Sequence, residues 1–139
     1  MTRVIMYGCN GKMGQTITRL IEEENDVEIV AGIDVCDTVK NSYPVFTDID
    51  TCQVEADAII DFSSAKATDK LLEYSAARQI PVVLCSTGLS EEQLAKVEET
   101  SKKVAVLKSA NMSLGINTLL KLVQDAAKVL ATAGFDMEI

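Results

Sequence analysis

Val4-Ile5-Met6-Tyr7-Gly8-Cys9-Asn10-Gly11-Lys12-Met13-Gly14 is the stretch that decides the fold of this chain. An apolar run meets three glycines at three-residue spacing and passes into an amphipathic segment, which reads as strand, tight turn and helix start. Gly8 allows the turn at the strand end, where a side chain would force an unfavourable φ. Gly11 lets the backbone come close to a pyrophosphate, and Gly14 lets the helix pack closely on the strand. The helix N-terminus then offers unpaired N–H groups and a positive dipole end to phosphates. The spacing is G-x-x-G-x-x-G rather than G-x-G-x-x-G, so the string by itself also fits a glycine-rich connection without a ligand.

Reading outward, short β-branched runs alternate with amphipathic stretches, the pattern of a parallel sheet covered by helices. Residues 3–7, 27–33, 58–62, 81–84 and 104–107 read as strands, with a short strand possible at 43–46 inside a poorly patterned region, 35–55. Residues 36–41 look like loop. Helices are expected over 13–24, with Met13, Ile17, Leu20 and Ile21 on one face, and over 65–78, carrying Leu71, Leu72 and Ala76. Ser90-Glu91-Glu92-Gln93 has capping-box spacing and opens a helix to about Thr100. A long helix over 114–130, striped by Leu119, Leu122, Val123, Ala126 and Leu130, breaks at Ala133-Gly134. Phe135-Asp136-Met137-Glu138-Ile139 alternates like a strand, which predicts that the chain is a piece of something longer. The fold class expected is α/β: a Rossmann-like, doubly wound parallel sheet over residues 1–112, with 113–139 a hinge helix and the first strand of a second, substrate domain.

Composition narrows function. The 139 residues carry a net charge of −8 and no histidine. The charge argues against a nucleic-acid partner, which needs clustered Lys and Arg. Without histidine, a Ser-His-Asp triad, a His-ligated metal and a His general acid are excluded within this chain. Cys9, Cys36, Cys52 and Cys85 lack C-x-x-C spacing, so neither zinc nor structural disulfides are expected. No apolar run is long enough to span a bilayer and no signal peptide opens the chain, pointing to a cytoplasmic protein.

Asp34 ends the second strand, 20 residues beyond Gly14, where a carboxylate accepts hydrogen bonds from the ribose hydroxyls of an adenosine. It would repel a 2′-phosphate, and Val35 supplies no compensating charge, so NAD(H) is expected over NADP(H), with NADP(H) possible. Three further strand ends are small and polar: Phe62-Ser63-Ser64, Cys85-Ser86-Thr87-Gly88 and Ser109-Ala110-Asn111-Met112. Each alone suits a cap or turn, with Ser64, Ser90 or Ser113 capping helices. Together, at the carboxyl ends of successive strands, they suit one ligand crevice. Cys9 and Cys85 read better as small buried residues than as reactive thiols.

These segments resemble the N-terminal domain of the dihydrodipicolinate reductases, now called 4-hydroxy-tetrahydrodipicolinate reductases, of the diaminopimelate route to lysine. The matching motifs are Gly8 to Gly14, Ile60-Asp61-Phe62-Ser63, Ser86-Thr87-Gly88, and Ser109-Ala110-Asn111-Met112-Ser113-Leu114-Gly115-Ile116-Asn117. The resemblance implies that the glycine turn holds the pyrophosphate and Asp34 the ribose. It also implies that Cys85–Thr87 and Ser109–Met112 lie beside the nicotinamide, with Thr87 and Asn111 its polar neighbours, although Cys85 replaces the usual glycine. The family's H-H-x-x-K-x-D-x-P-S-G-T-A motif, with its proton donor and carboxylate anchor, has no counterpart here. The resemblance therefore implies a fragment that binds cofactor and carries no catalytic residues of its own. The dicarboxylate substrate and the homotetramer would belong to the full-length protein. A homoserine or aspartate dehydrogenase and a non-catalytic nucleotide- or CoA-binding module are the competing readings.

Overall fold

In the computed structural model of the chain, residues 1–36 and 38–138 are described. They form one six-stranded parallel sheet with four helices. The strands are β1 (Thr2–Tyr7), β2 (Val27–Ile33), β3 (Val45–Phe46), β4 (Ala58–Asp61), β5 (Val82–Leu84) and β6 (Val106–Lys108). The helices are α1 (Lys12–Glu22), α2 (Ala65–Arg78), α3 (Glu91–Ser101) and α4 (Leu114–Thr132). A single 3-10 turn, Ile49–Thr51, lies between β3 and β4; it was not expected, and Asp48 caps it by accepting from the Asp50 N–H.

The sheet order is β3-β2-β1-β4-β5-β6, so the chain winds outward from β1 in one direction and from β4 in the other. This is the doubly wound arrangement anticipated above. The right-handed crossovers that parallel strands require then place α1 on one face and α2 and α3 on the other. Side chains follow that division with period two. Ile5, Tyr7 and Ile59 point into a large cluster with Leu71, Leu72 and Val97, while Met6 joins Cys9 and Tyr43 on the α1 side. The α1 side is thin because its helix lies so close to the strands.

That closeness corrects the expected face of α1 in part: Ile17 packs against the Met6, Cys9 and Tyr43 cluster as expected. Met13 and Leu20 are exposed, and the buried positions are Gly14 and Thr18. A helix pressed against a strand end excludes long side chains from the contact and selects small ones. A similar constraint operates at Gly32 on β2, where a Cβ would stand 2.6 Å from the Cys9 sulfur and 2.7 Å from the Tyr43 ring.

Three other expectations need correction. The last strand falls at Val106–Lys108 rather than 104–107, because the Val104 N–H bonds back to the Thr100 carbonyl and closes the α3 turn. The apolar stripe of α4 is not buried: no α4 residue is, and Leu122 is 61% exposed. Phe135–Glu138 is not a strand, since no neighbouring strand among the described residues lines up to bond it; Ile139 lies outside the described residues, as does Asp37 of the expected 36–41 loop. No helix among the described residues is long and apolar enough to cross a membrane.

Candidate functional site

In a doubly wound sheet the ligand crevice opens at the carboxyl ends of the strands where the winding reverses. Here that point lies between β1 and β4, and each strand runs directly into a helix. A cleft of about 240 Å³ sits there, lined by Gly8, Gly11, Asp34, Phe62, Ser63 and Ser64 among others. Six of the residues singled out from the sequence thus share one cavity. A somewhat larger hollow of about 300 Å³ lies elsewhere, bordered by Glu22, Glu24 and Glu28. Its three carboxylates make it a poor seat for phosphates, and it is remote from the strand ends.

The glycine turn is built as its spacing implies. Gly8 has φ +81°, and a Cβ there would also meet the Phe62 carbonyl oxygen at 2.7 Å. At Gly14 a Cβ would stand 2.7 Å from the Cys9 backbone, so only glycine lets α1 approach. Gly11 differs: its φ is −71°, and the nearest atom to a Cβ is the Gly8 oxygen at an ordinary 3.4 Å. The fold does not demand glycine at position 11; an open surface for a close ligand would.

Most N–H groups of the turn are already engaged. Gly8 and Cys9 donate to the Ile33 carbonyl, Asn10 to Asp34 Oδ2 at 2.9 Å, and Gly11 to the Gly8 carbonyl. Those of Lys12, Met13 and Gly14, the first turn of α1, face an N-cap glycine that supplies no side chain to accept from them. Lys12 and Met13 are exposed there, and Gly14 is buried beneath them. The α2 N-terminus is similarly open. Ser64 takes the N-cap position but its side chain makes no cap hydrogen bond, contrary to the capping role considered for it. Ser90 and Ser113 do cap α3 and α4. The two uncapped helices are the two that follow β1 and β4 and abut the cleft.

Asp34 leaves β2 at the rim. Its Oδ2 accepts from the Asn10 N–H and its Oδ1 from the Cys36 N–H at 3.1 Å. The carboxylate is thereby held against the glycine turn, with lone pairs remaining on each oxygen.

Asp61 is the residue that sequence reasoning passed over as a site component. It is fully buried at the end of β4, where Oδ1 accepts from the Ser63 N–H at 3.0 Å and its hydroxyl at 2.5 Å, and Oδ2 accepts from the Ser86 hydroxyl at 2.6 Å. One carboxylate therefore ties together two of the polar strand ends, Phe62–Ser64 and Cys85–Gly88. Its signal was a charged residue at the end of an otherwise apolar strand. Burial pushes the Cys85 thiol upward and the Asp61 charge adds to that, consistent with a buried, unreactive cysteine. Cys9 is likewise buried, and its thiol is pushed up to about 11 by burial and then by Asp34.

The remaining predicted residues sit further along the same edge. Thr87 and Gly88 are exposed beyond β5, Gly88 at φ +73°. Ser109 follows β6, its N–H bonded to the Leu84 carbonyl, and Ala110, Asn111 and Met112 are exposed after it. Asn111 is held by its own segment: Oδ1 accepts from the Ser113 N–H and its carbonyl accepts from the Asn117 amide. These residues lie outside the cleft between β1 and β4, at the ends of the next strands in the sheet.

Comparison with known proteins shows the family of the chain and agrees with its fold. A family model described as dihydrodipicolinate reductase, N-terminus, matches residues 2–112. A 4-hydroxy-tetrahydrodipicolinate reductase of Caldanaerobacter subterraneus subsp. tengcongensis is 50% identical over 139 residues, covering all of this chain and 54% of the relative. One from Clostridium tetani is 45% identical with the same coverage. The chain thus spans about half the length of the curated relatives it matches. Among solved structures, dihydrodipicolinate reductase from Paenisporosarcina sp. TG-14, with dipicolinate bound, superposes with a TM-score of 0.77 at 22% identity over 91% of this chain and 54% of that one. Homoserine dehydrogenase from S. aureus superposes at 0.66 with 17% identity over 78% of this chain and 32% of that one, a likeness of fold alone.

Proposed function

The chain belongs to the dihydrodipicolinate reductase family and carries its N-terminal part, and from that premise we propose that it holds the nicotinamide cofactor of a 4-hydroxy-tetrahydrodipicolinate reductase, with NAD(H) preferred. The observation that carries this reading is one arrangement at the β1–β4 switch point. The uncapped first turn of α1 stands on a glycine turn whose Asn10 N–H holds the Asp34 carboxylate.

The residues fit the group. An anion seated on the first turn of α1 meets the unengaged N–H groups of Lys12, Met13 and Gly14 and the positive end of the helix dipole. Gly11 leaves the space that a pyrophosphate needs. Asp34, fixed by two backbone N–H groups, presents its remaining lone pairs to a ribose diol and repels a 2′-phosphate. Phe62, Ser63 and Ser64 bound the adenosine side of the cleft. Thr87 and Asn111, at the ends of β5 and β6, are the polar groups assigned to the nicotinamide side, together with Cys85, Ser86, Gly88, Ser109, Ala110 and Met112. When bound, the reduced nicotinamide supplies the hydride that reduces the substrate.

The residues of this chain bind and orient; none supplies a proton to the substrate. An acidic chain of −8 does not draw in a dicarboxylate. Substrate anchoring, proton donation and tetramer assembly fall, in this reading, to the portion of the relatives beyond the half matched here. The reaction reduces 4-hydroxy-tetrahydrodipicolinate to tetrahydrodipicolinate in the cytoplasm, on the route to diaminopimelate and lysine.

Calorimetric titration of the 139-residue chain with NADH and NADPH side by side tests the proposal. NADH binding, tighter than NADPH, is expected. A folded sample that ignores NADH would refute cofactor binding, and tighter NADPH binding would refute the role given to Asp34.

A further inference from the structure

Three amide side chains from three segments meet beside the glycine turn. Asn10 belongs to the turn, Gln15 to α1, and Asn41 to the segment between β2 and β3. Asn41 Nδ2 donates to Asn10 Oδ1 at 2.8 Å and to the Val39 carbonyl at 3.2 Å. Gln15 Nε2 donates to Asn41 Oδ1 at 2.9 Å and to the Cys9 carbonyl at 2.9 Å. Asn10 Nδ2 donates in turn to the Cys36 carbonyl. All three side chains are half-buried.

The bonds close a ring around Asp34. Asn10 reaches Asp34 through its own N–H and reaches Cys36, whose N–H holds the other Asp34 oxygen, through its amide. Asn41 stands outside that ring and braces it, donating to the Asn10 side chain whose amide bridges to Cys36. The Asn41 amide is donor to Asn10 and acceptor from Gln15 at once, the two roles carried by separate atoms of one uncharged side chain. Of the described residues between β2 and β3, Asp34, Cys36 and Asn41 are thus tied to the turn by side-chain hydrogen bonds.

We infer that Asn41, acting through Asn10 and Gln15, is a positioning residue for the adenosine half of the dinucleotide: it sets Asp34 in its ribose-binding orientation before ligand arrives. The inference rests on the reading that the glycine turn binds a dinucleotide. Pre-set groups lose less freedom on binding, and the affinity they confer is lost when the lock is cut.

The test uses Asn41→Ala, Gln15→Ala and the double variant, titrated with NADH, NADPH and ADP-ribose. Asn41→Ala is expected to weaken NADH and ADP-ribose alike by about tenfold and to narrow the preference for NADH over NADPH. The double variant should lose little more than Asn41→Ala alone, since both cut one network. Wild-type affinity in Asn41→Ala overturns the inference. So do additive losses, or an equal loss for NADH and NADPH that tracks a fall in melting temperature. Should Asn41→Ala not fold, Gln15→Ala carries the same comparison, because alanine suits a helix. A wild-type chain that binds neither NADH nor ADP-ribose overturns both this inference and the dinucleotide reading; a binding wild type with an indifferent Asn41→Ala overturns the lock alone.

Discussion

Alanine at Gly14 and alanine at Gly11 perturb the same turn by one methyl group each, three residues apart, with different expected consequences. At Gly14 the new carbon would stand 2.7 Å from the Cys9 Cα and carbonyl carbon. Carbon atoms prefer about 3.5–4.0 Å, so α1 and the β1 end must part by about 1 Å, and the Gly8 carbonyl oxygen lies closer still. Both sides of the contact are backbone, so no rotamer change relieves it. Overpacking of this kind costs roughly 1–3 kcal/mol, and the upper end applies to a rigid contact. Alanine's helix propensity returns up to about 1 kcal/mol, leaving a net loss of about 2 kcal/mol. For a domain of this size that lowers the melting temperature by roughly 8 °C. At Gly11 the contact is ordinary and the backbone extended, so Gly11→Ala should cost under about 1 kcal/mol, mainly as a poorer N-cap. Its methyl nevertheless stands where the pyrophosphate must come, and NADH affinity should fall at least roughly tenfold, about 1.4 kcal/mol. The chain holds no tryptophan, so urea unfolding is followed by far-UV circular dichroism and binding by calorimetry. A Gly14→Ala variant with the wild-type urea midpoint would refute the close-approach argument. A folded Gly11→Ala variant with wild-type NADH affinity would refute the binding role of the turn.

Gln79 ends α2 in the left-handed region, at φ 56°; Gln79→Gly relieves roughly 1 kcal/mol of strain, loses part of that to unfolded-state entropy, and should raise the urea midpoint slightly. Burial holds the Cys9 thiol up at about 11 when folded, against about 8.5 unfolded, so its contribution to stability is complete below the lower value and lost as pH rises through the upper one. Stability should therefore fall between about pH 8.5 and 11, with a shallower fall in Cys9→Ala, as read by urea titrations across that range. Cys36 is exposed whereas Cys9, Cys52 and Cys85 are buried, so a thiol reagent at pH 8 should modify Cys36 first in the native chain. Because the Cys36 N–H holds Asp34, saturating NADH should slow that modification.

Periodicity carried the reading of the fold where burial is one-sided or complete. The boundaries of β2 and α2 were legible to the residue because Val27–Ile33 is apolar apart from Glu28 and ends at Asp34, and because Ser64 precedes the α2 run and Pro81 opens the next strand. The face of α1 was legible only at Ile17, because hydrophobic periodicity assumes that all the largest apolar residues go inward. Close approach at Gly14 reverses that, sending Met13 and Leu20 outward. The turn and Asp34 were legible as site components because their chemistry is local in sequence. Asp61 was not, since its partners Ser63 and Ser86 come together only when β4 and β5 pair. The amide network was invisible for the same reason: Asn10 and Asn41 are 31 residues apart and meet across a segment without pattern.

The order of strands in the sheet also has a consequence for how the chain is made. β1 leaves the ribosome before the other five strands and ends at the centre, between β2 and β4. Its pairing with β2 is available early, but the partner for its other edge begins at Ala58, so Val4 waits 54 residues for its neighbour. At about 5–20 residues per second, that interval lasts roughly 3–10 s. Throughout it the nascent chain presents an unpaired, apolar strand edge, the feature most prone to join another chain. Arg3, which finally clamps Asp57 through both its backbone N–H and its guanidinium, marks the moment of closure. Weakening that clamp should lower the soluble yield during synthesis more than it lowers the stability of the finished protein.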